Sequence, residues 1–454
     1  MPSLKAIRVR LYPTPEQTSA FAQIAGCCRL VYNLGLEQRR DFWRQKKRTD
    51  GTGFTWYGQK RELKDLKRDG APFLADVPVH CLQMALKDLD TAYRRFFEGA
   101  AGHPRPRRKG DHDSFVFPDP AQITLRVSRG ELVLPKFGKT TSDWGAIKAR
   151  FHRMPYGEIR SVTISRDGAH WVASILTRVK RDAPRPVAPA SLTADDVEGI
   201  DRGVAVAAMA SDGASIVVPR ETERQRRRGT RLARALARTQ HGSKRRERAR
   251  KRLLAHKARH TRRRNDARHK GTRAVVNRVR VVGIEALNVK GMSASARGSV
   301  DKPGRGTAAK AGLNRSILET GWGEIRRQLA YKLAWKGGHL VEVDARHTSQ
   351  ACAACGHIDP ENRKNQGFLC LQCGHVDHAD RTAARNIKAR TLDLIGVPQT
   401  RPPERDPGCP GKGRIPEGTV GTARGELGGA RSSKREDEAG THPATKINVN
   451  QLVI

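Results

Sequence analysis

The sequence predicts an α+β multidomain protein, and three observations carry that prediction. The N-terminal part switches between a two-residue and a helical hydrophobic period. The C-terminal part holds short apolar strand segments that lead into single carboxylates. Two C-x-x-C pairs follow, with the spacing of a zinc ribbon. At 454 residues the chain is long enough for two to four domains with sizeable cores.

The charge balance indicates a polyanionic partner. The chain has 87 Lys and Arg against 46 Asp and Glu, a formal net charge of +41. Such a chain repels itself unless a polyanion neutralises it, so nucleic acid is the expected partner and a merely soluble basic protein the alternative. No apolar run approaches the ~20 residues of a spanning helix, and no secretory segment follows Met1. We therefore expect no membrane partner and a cytoplasmic location.

The first elements are a strand and two helices. Residues 5–12 alternate between apolar residues and arginines, which predicts a half-buried strand with a cationic outer face. Thr14 and Gln17 form a capping-box pattern that begins a helix. A second helix is predicted over about 80–98, and Gly99 is expected to end it.

Strands resume from about residue 115. Alternating apolar residues at 123–127 and 132–134 flank a turn, and Asp167-Gly168 is a strong hairpin signal. A strand followed by helices and then strands predicts a small β-barrel with a helical insertion.

Three segments lack apolar periodicity. Residues 103–110 form a cationic loop, which is either a solvated linker or a phosphate contact. Residues 180–190 are rich in proline and charge, which predicts a domain linker. After residue 396 the composition predicts a disordered tail.

Three acids are the candidate catalytic residues. Asp201 ends an apolar segment that we predict to pair with a second strand at 203–207, and Glu285 ends another strand at 279–284. Asp380 lies in the first turn of a short predicted helix. Burying an unpaired carboxylate costs several kcal/mol, which a metal ion or a pairing base such as Arg202 would offset. Together the acids suit Mg²⁺ or Mn²⁺, and two such ions support phosphodiester hydrolysis.

Four cysteines are the candidate zinc ligands, namely Cys352, Cys355, Cys370 and Cys373. Four thiolates leave no open position, so one structural Zn²⁺ is expected, with a redox dithiol as the alternative. Cysteines that bind a metal ion instead of forming disulfides indicate a reducing compartment. We interpret Cys27, Cys28 and Cys81 as core thiols and Cys409 as a tail residue without a role.

The most basic stretch lies between the first two acids. Residues 221–280 contain 24 Lys or Arg and four acids, a net charge of +20. No proline interrupts the stretch, and residues 239–243 form a turn signal, so a helical hairpin is predicted. Neutralisation of phosphates is the favoured interpretation and a solvated helical face is the alternative.

The chain resembles the TnpB (OrfB) family of insertion-sequence proteins, which are related to type V CRISPR effectors. The matching stretches cover most of residues 5–390. They are KAIRVRLYPTPEQ, GCCRLVYNLGLE, GIDRGV, VVGIEALNVKGM, LNRSILETGWGEIRRQLAYKLAWKGG, HTSQACAACGH and ADRTAARNI. The chain departs from the family pattern at Arg202, where an apolar residue is usual, and at Thr382, where Asn is usual. We expect Arg202 to lower the activity.

The resemblance implies a wedge β-barrel with an inserted helical recognition lobe, followed by a RuvC-like nuclease of the RNase H fold. The implied ranges are 1–15 and 113–185 for the wedge barrel, 16–112 for the recognition lobe, 196–395 for the nuclease with insertions at 221–280 and 348–376, and 396–454 for the tail. The family's catalytic acids fall on Asp201, Glu285 and Asp380, and its zinc ligands on the four paired cysteines.

The function implied is that of an RNA-guided endonuclease encoded by a bacterial transposable element. Its partners are a guide RNA and a double-stranded DNA target, in the cytoplasm at the nucleoid. The alternatives are a nuclease-inactive RNA-guided repressor and a strand-transferring transposase. The residues leave the oligomeric state open, with a monomer favoured.

Overall fold

A computed structural model places two large sheets and one small sheet in the chain, each contacted by helices. The structure describes residues 3–46, 55–111, 113–137, 144–179, 187–298 and 304–398. Most of the predicted tail, with Cys409, and most of the predicted linker at 180–190 lie outside these ranges, whereas Val397, at the predicted start of the tail, is buried against Leu392. Within them, every helix is too short or too polar to cross a lipid bilayer.

The N-terminal elements follow the predicted order of strand, helices and strands. They are β1 Ser3–Tyr12, α1 Pro15–Lys46, α2 Trp56–Asp65, α3 Val79–Phe97, β2 Ser114–Phe117, β3 Thr124–Arg126, β4 Glu131–Val133, β5 Ile147–Arg150, β6 Glu158–Asp167 and β7 His170–Val179.

Local signals in the sequence begin and end the first helices. Thr14 and Gln17 exchange the two hydrogen bonds of a capping box at the start of α1. Gly99 follows α3 in the left-handed conformation, with φ of 69°. Cys28 of α1 and Cys81 of α3 are buried in the shared core, as predicted, and burial raises the pKa of Cys28 to about 12.

These strands form one antiparallel sheet in the order β2-β6-β7-β1-β5-β4-β3. The predicted hairpin joins β6 and β7, and Gly168 has a φ of 62° at its turn. The predicted strand at 123–127 is wrong in length, because residues 127–129 form a 3₁₀ turn after the short β3. Among the described strands, β2 and β3 are the two edges, so this sheet is an open half-barrel.

The C-terminal elements build the second and third sheets. They are β8 Val197–Asp201, β9 Ala208–Ala210, β10 Ser215–Ile216, α4 Glu223–Ala237, α5 Lys244–Arg278, β11 Val281–Glu285, α6 Val289–Met292, α7 Thr307–Thr320, α8 Trp322–Ala334, β12 His339–Val343, β13 Arg363–Lys364, β14 Gly367–Leu369, β15 Val376–His378 and α9 Ala379–Ile395.

Two strand predictions in this part need correction. The partner strand of β8 is β9 at 208–210, and residues 203–207 instead form bends that carry the chain around to the antiparallel register. The indole of Trp322 donates a 2.9 Å hydrogen bond to the Gly203 carbonyl and fixes this bend. The strand predicted from residue 279 begins at Val281.

The second sheet has the order β10-β9-β8-β11-β12, in which β8, β11 and β12 are parallel and β9 is antiparallel to β8. The C-terminal turns of α5 and the apolar side of α8 share a core cluster with this sheet. The other face is in contact with α9, which places Leu392 against Val197 and Val281.

Two glycines allow α9 to lie directly on the sheet. Gly199 of β8 and Gly283 of β11 are partners in the parallel register, so both sit at the same level. A Cβ on Gly199 would overlap the carbonyl oxygen of Ala384, and a Cβ on Gly283 would overlap the Thr391 hydroxyl. The glycines therefore fix the distance between α9 and the sheet, and with it the position of the N-terminal turn of the helix.

Replacing Gly283 with alanine is expected to destabilise the fold by about 1–3 kcal/mol, because overpacking displaces α9. The matched control is Gly312→Ala, since Gly312 lies in α7 with open space at its Cβ and alanine favours a helix. Urea unfolding of both variants measures the difference. Equal midpoints for G283A and the unmodified protein would show that α9 tolerates the added methyl group.

Candidate active site and zinc module

The fold places the three candidate acids at one edge of the second sheet. Ile200 and Ile284 are register partners in parallel strands, so the next residues, Asp201 and Glu285, are neighbours at the carboxyl ends of β8 and β11. Asp380 is the second residue of α9. Its Oδ2 atom lies 3.9 Å from the position that a Cβ atom on Gly203 would occupy, and Gly203 is two residues after Asp201 in the chain. The arrangement of two strand ends and a helix start is the one expected from the sequence.

Asp201 is a buried carboxylate, and the backbone of Arg202 supplies a hydrogen bond that favours its ionised form. Burial raises its pKa to about 7, and the nearby charges of Glu285 and Asp380 act in the same direction. Glu198, three residues earlier on β8, shows the contrast. It accepts hydrogen bonds from the backbone of Ser211 and Gly199 and from the Ser211 hydroxyl, so its burial is compensated by the fold itself.

Glu285 is held from two sides. Its Oε1 accepts a 2.7 Å hydrogen bond from the Thr348 hydroxyl, and its backbone carbonyl accepts a hydrogen bond from the Arg202 guanidinium. Asn386 of α9 in turn donates to the carbonyl of Thr348 at 2.8 Å and to that of Ala351 at 2.8 Å. The helix that carries Asp380 therefore also positions the donor to Glu285.

Asp380 has a cationic neighbour from the third sheet. Arg363 of β13 lies 3.2 Å from Asp380 Oδ1, and the Asp380 side chain is 13% exposed. The same guanidinium lowers the pKa of Asp201, against the larger effects that raise it. One arginine therefore offsets part of the repulsion among three carboxylates, and a net negative charge remains.

This donor set fits a divalent cation. Three carboxylates close enough to raise the pKa of Asp201 repel one another, and a hard cation with oxygen ligands would relieve that repulsion. Their oxygens do not all lie within 4.8 Å of one another, a distance that the four cysteines do meet among the described residues.

Arg202 and Thr382, the two departures from the family pattern, are both buried. Arg202 does not replace a ligand, because its described hydrogen bond goes to the Glu285 backbone and joins the ends of β8 and β11. Burial lowers the pKa of Arg202, while Glu285 and Glu342 act against that shift. The expected effect of Arg202 on activity stays a prediction.

The four paired cysteines converge as predicted, with Sγ atoms all within 4.8 Å of one another. Cys352 and Cys373 are 3.7 Å apart and Cys355 and Cys370 are 3.6 Å apart at Sγ. Tetrahedral Zn²⁺ with Zn–S bonds of about 2.3 Å places neighbouring sulfurs ~3.8 Å apart. The spacing therefore fits a zinc ion and is far too long for disulfides.

Both C-x-x-C pairs have the same backbone geometry. Cys352 donates to the His357 carbonyl at 2.9 Å, and Cys370 donates to that of His375 at 2.9 Å. The glycine after each pair, Gly356 or Gly374, has a positive φ of 79° or 68°. We call residues 348–378, which contain these turns and strands β13, β14 and β15, the zinc module.

The zinc module is continuous with the candidate active site. Its strand β15 leads without a break into α9, and Ala379 shares a buried cluster with Cys352, Phe368 and Cys370. Ala379 also donates a 2.8 Å backbone hydrogen bond to Gln366. Asp380 is the next residue, so the shape of the module sets where that carboxylate lies.

The predicted basic hairpin is present as α4 and α5, joined by the turn at 238–243. Almost all of its Lys and Arg side chains in α4 and the first half of α5 are exposed. Further along α5, Arg268 is buried and donates to the Thr320 carbonyl at 2.9 Å. Arg268 therefore supports the end of α7 and is not available to phosphates, whereas the exposed Lys and Arg side chains of α4 and the first half of α5 form a cationic surface.

The cationic loop at 103–110 is partly fixed. The Arg107 backbone exchanges hydrogen bonds with the Asn33 amide, and the Arg107 guanidinium lies 4.0 Å from the centre of the Tyr32 ring and pairs with Asp88. This loop is consequently docked on α1 and α3 and is not a free linker.

The residues that support the acids were not evident from the sequence. Arg363, Thr348 and Asn386 have no spacing signal, because each meets its partner only through the tertiary fold. Gly199 and Gly283 do carry a signal, since each is a lone glycine in an apolar strand, which marks a close approach of another backbone.

Comparison with family models gives matches over three parts of the chain. Residues 174–296 match a model described as "Probable transposase", residues 322–387 match "Cas12f1-like, TNB domain", and residues 1–48 match "Helix-turn-helix domain". Over 3–46 the structure has one strand and one long helix, so that last description does not fit the geometry.

Comparison with curated proteins covers nearly the whole chain. An Escherichia coli K12 protein named "Putative RNA-guided DNA endonuclease InsQ" is 34% identical over 414 residues, which is 90% of this chain and 98% of the relative. A Streptomyces pristinaespiralis protein with the same description is 31% identical over 90% of this chain and 95% of its own length. A Sulfoacidibacillus thermotolerans Cas12f1 endodeoxyribonuclease is 34% identical over 73 residues, 16% of this chain and 17% of its own.

Among solved structures, a Cas12f1 complex with guide RNA and target DNA aligns with a TM-score of 0.48 and 12% identity, over 85% of this chain and 99% of that one. The class of protein is thus one encoded by insertion sequences and related to type V effectors. Within that class, the chain belongs to the TnpB (OrfB) family.

Replacing Asp201 with asparagine is expected to stabilise the protein in buffer without divalent cations. The folded-state pKa lies above the unfolded value, so wild-type stability is lost as the pH rises from about 4 to about 7. The increase in the free energy of unfolding caused by D201N should therefore be larger at pH 8 than at pH 5.5, by about 1–3 kcal/mol. Thermal melting at both pH values measures it, with the exposed Asp195→Asn as control. A lower melting temperature for D201N than for the unmodified protein at pH 8 would show that the ionised Asp201 carboxylate does not destabilise the metal-free fold.

Replacing Cys370 with serine is expected to release the zinc and to reduce nuclease activity although all three acids remain. The reason is that Ala379 packs on Cys370 and holds the start of α9. Metal analysis and a cleavage assay test both effects. The control is Gln372→Ser, an exposed position between the two cysteines. Full activity in zinc-free C370S would show that the zinc module is not needed to position Asp380.

Proposed function

We propose that this protein is an RNA-guided DNA endonuclease encoded by a transposable element, and that it hydrolyses phosphodiester bonds with two divalent cations. The observation that carries this proposal is the meeting of Asp201, Glu285 and Asp380 at one sheet edge in a strongly cationic chain. Near full-length similarity to relatives named as RNA-guided DNA endonucleases supports the choice of reaction and partners.

The three acids would hold Mg²⁺ or Mn²⁺, and these ions would supply activation of a water and stabilisation of the leaving oxygen. Thr348 orients the Glu285 carboxylate, and Arg202 fixes the backbone at the end of β11. Arg363 lies beside Asp380, where its charge favours the ionised carboxylates that a cation requires. The zinc module, with one Zn²⁺ on its four cysteines, holds α9 and takes no part in the chemistry.

The cationic hairpin is the proposed binding surface for the nucleic acid backbone. Its exposed Lys and Arg side chains neutralise phosphates without reading sequence. Base pairing between a guide RNA and one strand of the double-stranded DNA target would supply the choice of sequence. This division of labour suits a chain with a net charge of +41.

The domain division we propose follows the family pattern. A wedge barrel occupies 1–15 and 113–185, a recognition lobe 16–112, a RuvC-like nuclease of the RNase H fold 196–395, and a tail 396–454. The mixed order of the second sheet, antiparallel on the side of β9 and parallel on the side of β12, supports the RNase H assignment. The proposed place of action is the bacterial cytoplasm at the nucleoid.

Cleavage of DNA by the protein purified with its co-expressed RNA tests the proposal. With Mg²⁺ present, target DNA complementary to that RNA should be cut, and Asp201→Ala should reduce the rate by ~10³-fold, since the cations supply several kcal/mol. Asp195→Ala, an exposed acid shortly before β8, is the matched control.

Three results would overturn this function. Cutting that survives D201A would remove the acids from the chemistry. Tight RNA-dependent binding without cutting in Mg²⁺ or Mn²⁺ would indicate a repressor. Joining of transposon ends by the purified protein would indicate a strand-transferring transposase.

A further inference from the structure

A second group of metal-ligand side chains lies in the basic hairpin, outside the site of the three acids. Glu221 directly precedes Thr222, which caps α4, and His256 and His260 lie one turn apart on α5. Their ligand atoms are all within 4.8 Å of one another. Among the described residues, this group and the four cysteines are the sets that meet that criterion.

The polar atoms of this group are not satisfied by one another. His260 Nδ1 and Glu221 Oε1 are 3.7 Å apart, which is too long for a hydrogen bond. His256 Nε2 is buried and has no hydrogen-bond partner in the described part of the chain. The two rings meet edge to face with centroids 4.7 Å apart. An unpaired buried nitrogen is costly, so the arrangement lacks a partner that a metal ion would provide.

We propose that Glu221, His256 and His260 bind a second Zn²⁺ ion. Two histidines four residues apart on one helix face, with a carboxylate from a neighbouring segment, form a recognised zinc ligand set. Bonds of about 2.0–2.1 Å place neighbouring tetrahedral ligand atoms ~3.3 Å apart. The 3.7 Å separation therefore needs to shorten by only a few tenths of an ångström. Glu221 and His256 are partly exposed, so an ion can reach the group from solvent.

The position of the group gives the ion a structural purpose. α4 has no buried side chain along its length, and α5 buries only Leu253 before it reaches His260. A unit without an apolar core gains much of its stability from a bound metal. An ion shared by Glu221 and the two histidines would tie the N-terminal end of α4 to the side of α5. The ion would thereby fix the angle between α4 and α5, the two helices that form the cationic surface.

The charges around the group set the expected affinity. Burial lowers the pKa of His260, and His256, Arg263 and Arg264 add to that effect while Glu221 opposes it. The same arginines repel a divalent cation, so binding should be weaker than at the four thiolates.

The full-length protein loaded with excess ZnCl₂ and then desalted tests the site by metal analysis, independently of nuclease activity. We expect two zinc ions per chain, and one in the double variant His256→Gln/His260→Gln. His241→Gln, an exposed histidine in the turn of the same hairpin, should keep two. The intense thiolate absorption of the Co²⁺-substituted protein should be unchanged in all of these, which shows that the cysteine site is intact.

Glu221→Gln keeps both imidazoles and provides a second test of the site if the double variant does not fold. It should weaken the second site by at least ~10- to 100-fold, the range that loss of even an outer-shell partner costs. Competition with a chromophoric chelator measures this change. One zinc in the unmodified protein, two in the folded double variant, or unchanged affinity in E221Q would each overturn the proposal.

Discussion

The contact between α9 and the paired glycines of the second sheet is the constraint on which the candidate active site depends. Gly199 and Gly283 leave no side chain between helix and sheet, so the helix backbone lies directly against β8 and β11. Asp201 and Glu285 each lie two residues beyond the glycine of their own strand, and Asp380 lies at the start of the helix. One packing distance therefore sets the separation of all three carboxylates.

The zinc module adds a second restraint on the same helix. The buried cluster around Cys370 includes Ala379, and Asn386 joins α9 to the segment that orients Glu285. Burying Asp201 and holding it beside Glu285 and Asp380 both disfavour its charge, as its raised pKa indicates. A site of this kind lowers the stability of the metal-free fold, and rigid neighbours must compensate for that loss.

The sequence predicted the parts of this arrangement that local patterns determine. Apolar strands that end in Asp201 and Glu285, the capped α1 and the helical hairpin all follow from periodicity and turn residues. The supporting contacts could not be predicted, because Arg363 reaches Asp380 only after the third sheet has formed. The false strand at 203–207 has the same origin, since its apolar residues fit a strand but the register of β9 places it later. Most of the tail lies outside the described residues, so its disorder stays a prediction.

The long helix α5 joins the two halves of the chain as a rigid rod of about 52 Å. Its first half runs beside the β6–β7 turn, where Ala258 lies against Gly168, and its last turns are buried under β11. Each residue rotates a helix by about 100°, so gaining or losing one residue midway would swing the arginines to another side of the axis. Length changes along this rod should consequently be tolerated only near whole numbers of turns, such as seven residues for two turns.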